Sequence, residues 1–165
     1  MKKYLAPAIL LLVAWGAFAV GPQNLGSSHA VNGYDHHDMT ISVSVSGGEA
    51  GKLFLNAGHS YPLLFSERDR LVSLIQAAAR KVDIAIANKT TISIRQEIGS
   101  FYTDSAALVS VSFETDGYGA SNTIVRINGD GSNAILQLDK KDGQDIIHML
   151  SNLVDDFQGQ EALFK

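Results

Sequence analysis

The sequence predicts an α+β fold, an antiparallel sheet of five to seven strands with two amphipathic helices packed on one face. Two observations carry this. Runs such as Ile41-Ser42-Val43-Ser44-Val45 and Val109-Ser110-Val111-Ser112-Phe113 alternate apolar and hydroxyl side chains, the period of a half-buried strand. Two longer stretches, from Leu71 to Ile86 and from Ile146 to Phe157, instead space apolar residues three and four apart, as a helix with one buried stripe does.

The chain opens on an export signal. Lys2 and Lys3 precede an almost wholly apolar run from Leu5 to Phe18, and Ala17-Phe18-Ala19 has small residues at both recognition positions of a signal peptidase. An uncleaved anchor would need roughly 20 apolar residues to cross a bilayer, and this run is shorter and interrupted by Pro7. Residues 1–19 are therefore expected to be removed, which places the protein in the periplasm or outside the cell with no stable membrane span. Roughly 145 residues remain, enough for one domain with its own core. Val20 to Asp38 is rich in Gly and Ser with no apolar period, so it reads as a flexible leader; residues 39–159 form the domain and 160–165 a tail.

Within the domain the first strand is Met39 to Ser46, and Gly47-Gly48 with Gly51 permits a turn into a second at Lys52–Asn56. A third, Tyr61–Phe65, contains Pro62, which suits an edge because proline cannot donate a ladder hydrogen bond. Ser66 is placed to cap the first helix, with Glu67 and Asp69 favoured by its dipole. Val82 to Ala87 alternates like a strand yet also continues the helical stripe; the alanines at 77–79 favour helix, and Asn88 suits its end. Four more strands follow at Thr91–Glu97, Ala107–Thr115, Asn122–Asn128 and Asn133–Leu138, the second and third joined through Asp116-Gly117-Tyr118-Gly119 and the third and fourth through Asn128-Gly129-Asp130-Gly131. Asp139 then starts the second helix, which Gly159 ends. The helical stripes share one spacing and each follows a run of strands, which suggests a duplicated βββα unit.

Charge and composition exclude several function classes. Thirteen basic residues face 17 acidic ones, and loss of Lys2 and Lys3 with the signal moves the formal balance from −4 to −6. Such a chain repels phosphate backbones, so nucleic acid is not an expected partner. The absence of cysteine removes disulfides and thiol chemistry. No serine sits in a Gly-x-Ser-x-Gly elbow, and no glycine-rich loop opens a helix, so neither a serine nucleophile nor a nucleotide cofactor is expected.

What remains points to a non-catalytic binding or accessory protein of the bacterial envelope, meeting a protein or glycan through the uncovered sheet face or the hairpin tips. Ser110 and Ser112 on the wet side of their strand, and Tyr118 at a hairpin tip, are the expected contact residues. Two alternatives accompany this reading. Tyr34-Asp35-His36-His37-Asp38 is the densest group of metal-ligand types, and His36 and His37 with His59 would form a low-specificity divalent-metal site. The other alternative is an enzyme whose residues converge only in the fold.

Overall fold

The computed structural model describes residues 23–45, 52–129 and 131–156. The export signal, the Gly47-Gly48-Gly51 turn, Phe157, Gly159 and the tail lie outside the described residues. The chain runs β1 (Gln23–Asn32), β2 (Asp38–Val45), β3 (Lys52–Ala57), β4 (His59–Leu64), α1 (Phe65–Ala87), β5 (Ser93–Tyr102), β6 (Leu108–Asp116), β7 (Ser121–Gly129), β8 (Ser132–Leu138) and α2 (Lys140–His148), which continues into a π-helical turn at Met149–Leu153. The strands form one antiparallel sheet in the order β4-β3-β2-β1-β8-β7-β6-β5. The fold is thus α+β and antiparallel, with eight described strands rather than five to seven, and each helix follows four strands rather than three.

The additional strand is β1, which occupies most of the expected leader. It pairs with β2 from Gln23 to Val31 and meets β8 at Val31 and Asn32, so it lies in the middle of the sheet. Its one fully buried side chain is Ala30, with none of the large alternating residues that mark β2 or β6. The packing above it explains this. α2 and the π-helical turn rest on β1, and Ser28 Oγ donates to Asp145 Oδ2 of α2 at 3.2 Å, so a helix at this range leaves room for small side chains only.

The core joins the alternating residues of the strands to both helices: Ile41, Val43, Leu53, Leu55, Val109, Val111, Leu136 and Leu138 pack with Leu71, Ile75, Ile146 and Leu150. α1 starts one residue before the expected Ser66, and its cap is made from inside the helix, because Glu67 Oε2 accepts the Leu64 amide at 2.7 Å. The helix runs through the ambiguous segment to Ala87 with Val82 and Ala85 buried; Asn88 closes it, and Lys89 follows in a left-handed conformation. The second cap is as expected, with Asp139 Oδ1 accepting the Asp142 amide at 2.8 Å.

α1 touches both edge strands, β4 and β5, as well as β6 and β7. Arg68, its side chain only 10% exposed, holds α1 to the second helical segment through Asp155 at 2.6 Å and also meets Asp69 at 2.6 Å. Burial alone would lower the pKa of that guanidinium, but the two carboxylates outweigh it and raise it.

Asp142 is buried at the start of α2, and that burial, then the neighbouring Asp139, push its carboxyl above the ordinary 3.8. His29 and Lys141 offset this only in part. The folded chain holds this proton more tightly than the unfolded chain, so the associated stability is present at pH below 3.8 and is lost as pH rises through the folded-state value. Asp142→Asn is expected to flatten the decline of Tm as the pH rises above 3.8, at a helix-dipole cost of a few tenths of a kcal/mol. Asp145 is lowered by Lys141 and works in the opposite sense, as a background common to both proteins. Thermal melts across that range check this, and an unchanged slope counts against it.

Candidate functional site

Side chains of β5, β6 and β7 that point away from the core form a polar cleft on the sheet face opposite the helices. The register builds it: Arg95 lies opposite Glu114, Glu97 opposite Ser112 and Ser100 opposite Ser110, while Arg126 of β7 lies opposite Ser110. The cleft measures 230 Å³, and Arg95, Glu97, Ser100, Leu108, Ser110 and Arg126 are among its walls. No described helix or strand packs over this face.

One carboxylate oxygen organises the cations. Glu114 Oε1 accepts from Arg126 Nη2 at 2.9 Å and from Ser112 Oγ at 3.3 Å, and forms an ion pair with Arg95 Nε at 3.1 Å. Arg126 Nη1 also donates to Ser112 Oγ at 3.0 Å. Two hydrogen bonds fix the orientation of the Arg126 guanidinium, while Arg95 is ion-paired to the same carboxylate with its side chain 66% exposed, and most of their ten N–H groups remain free to donate. With Glu97 included, the cluster is formally neutral. Tyr102, 72% exposed, continues the same face beside Leu108.

The expected contact residues divide. Ser110 lines the cleft. Ser112 lines it too but is only 4% exposed, and its hydroxyl is occupied by Arg126 and Glu114, so it positions the arginine. Tyr118, 95% exposed, sits at the β6–β7 tip, where Asp116 Oδ1 accepts its amide at 2.7 Å. It lies in the turn beyond Asp116, the last residue of β6, with four strand residues between it and Ser112 spanning on the order of 13 Å, and the two do not share a site.

The histidines occupy turns at the other end of the sheet. His36 takes a left-handed conformation in the β1–β2 turn, where its amide donates to Asn32 O at 2.8 Å, and the His37 amide donates to Asp35 Oδ1 at 3.2 Å. His59 follows Gly58 in the β3–β4 turn, edge-on to Tyr61 with ring centroids 6.5 Å apart. Among the described residues no three His, Cys, Asp or Glu side chains are grouped to hold a metal ion, so the structure does not gather His36, His37 and His59 into one ligand set. Adjacent residues in a tight turn diverge, which is the physical reason. His29, placed in the leader by sequence, lies instead on β1, 3.6 Å from Asp38. Phe101 and Tyr102 are the last residues of β5, the first buried and the second exposed.

Arg95, Glu97 and Arg126 were not expected at the site. Arg126 carried a signal, because it is the one charged residue in Asn122–Asn128 and sits among Ile124, Val125 and Ile127.

No family model, curated protein or solved structure matches the chain. No described helix is long and apolar enough to cross a membrane.

Proposed function

We propose that this chain is an exported, non-catalytic binding protein of the bacterial envelope that takes a glycan in the β5–β6–β7 cleft. The observation that supports this is Arg126, held by Glu114 and Ser112 with Arg95 ion-paired to the same carboxylate, set among serine hydroxyls and beside the exposed ring of Tyr102. A sugar is apolar on its ring faces and hydroxylated at its edge, so it needs an apolar platform next to oriented donors and acceptors. The neutral cluster favours an uncharged or weakly charged sugar over an acidic one. The Ala17-Phe18-Ala19 motif and the apolar run before it support export.

Arg126→Ala is expected to weaken glycan binding at least about tenfold, since a lost charge-assisted hydrogen bond is worth roughly 1.5–3 kcal/mol. Ser110→Lys fills the cleft with a long side chain and is expected to abolish binding, while Tyr118→Ala leaves it intact. A glycan array followed by calorimetry on the strongest hit measures all three; equal affinity across the variants would remove the cleft from consideration.

A further inference from the structure

We propose that two copies of this chain associate edge to edge through the first half of β5, joining their sheets antiparallel about a two-fold axis at Gln96. β4 and β5 are the edges of the sheet. β4 carries Pro62, which has no N–H to donate to an added strand. The second half of β5 is covered by α1, where Arg70 Nη2 donates to Ser100 O at 3.1 Å and Leu74 lies against Gly99. Ser93 to Glu97 has no such cover and is exposed at every position.

An unprotected edge is a template for another strand, and natural sheets block such edges with proline, bulges or covering elements. The bulge of β5 lies between Glu97 and Gly99, past the proposed pairing stretch, and the edge before it has an apolar margin. Ile94 and Ile92 are 37% and 66% exposed, and a 180 Å³ groove between β5 and the end of α1 is lined by Ile84, itself 60% exposed, with Ile94, Ala85 and Phe113.

The occupant follows from charge and register. In a two-fold antiparallel pairing, each residue faces one of the same parity, so the axis passes through a single residue. An axis at Arg95 sets arginine against arginine, and one at Glu97 sets glutamate against glutamate, both unfavourable. An axis at Ile94 pairs Arg95 with Ser93 of the partner subunit and gains no ion pair. At Gln96 the axis sets Arg95 opposite Glu97 of the partner subunit, and by symmetry does so twice, within the regular stretch that ends at the bulge after Glu97. The strand is thus complementary to itself, and the two clefts come to lie side by side.

Sedimentation equilibrium on the purified chain tests this in the micromolar range. The wild type is expected at twice the chain mass. Glu97→Arg and Arg95→Glu are each expected to sediment as monomers, because each sets like charges opposite one another. Their equimolar mixture is expected to return to dimer mass, since the two arginines on the β5 edge of the first variant then face the two glutamates on that of the second. A misfolded variant cannot give such a recovery. A monomeric wild type, a Glu97→Arg variant that still dimerises, or a mixture that stays monomeric would each overturn the proposal. Glycan affinity is read separately, so failure here leaves the binding proposal standing.

Discussion

Replacing Ala30 with aspartate is expected to abolish cooperative folding or cost at least about 3 kcal/mol, the scale of an unpaired charge buried in a packed core. Ala30 is fully buried in a strand that the sheet holds between β2 and β8. The carboxylate would find no hydrogen-bond donor among the apolar side chains around it. Ser27→Asp, three residues earlier on the exposed side of β1, is expected to stay within about 0.5 kcal/mol of wild type. Urea unfolding of the two variants decides whether residues 23–32 belong to the domain. A flexible leader would tolerate both substitutions equally.

That contrast marks where sequence patterning stops being informative. Helix α1 was legible because Leu71, Ile75, Ala78 and Val82 fall on one stripe, and all four are buried. β6 was legible because Val109, Val111 and Phe113 alternate with polar residues. β1 was not, because the second helix lies directly over it and selects Ala30 and Ser28 at positions where other strands carry Val or Leu. Small residues suited to close packing have the same composition as a linker. The site shows the same division. Alternation placed Ser110, Ser112 and Glu114 on the wet face, but only the inter-strand register brings Arg95 and Arg126 to Glu114, and periodicity within one strand carries no register information. The histidines stay apart for a related reason, since adjacency in sequence does not make side chains converge in a turn.

Ile75→Ala is expected to cost about 2–5 kcal/mol, the range for removing most of a large aliphatic side chain from a core that cannot collapse around the gap. Ile75 is 1% exposed in α1. The more informative outcome is how that loss is distributed. α1 follows the first four strands in the chain, yet it packs chiefly on β6 and β7 of the second four, while α2 and its π-helical turn lie on β1 of the first. Among the described residues the strand junction between the halves is short, Val31 with Gln137 and Asn32 with Leu136, extended by the Gly33 amide donating to Ile135 O at 2.9 Å. Exchange of helices between the two meanders therefore makes them one cooperative unit, since neither set of strands can cover its apolar face with its own helix alone. Amide hydrogen exchange in the Ile75→Ala variant is expected to rise by a common factor in β2–β3 and in β6–β7, with a single unfolding transition. Faster exchange confined to one meander, or a two-step melt, would show instead that the halves fold independently.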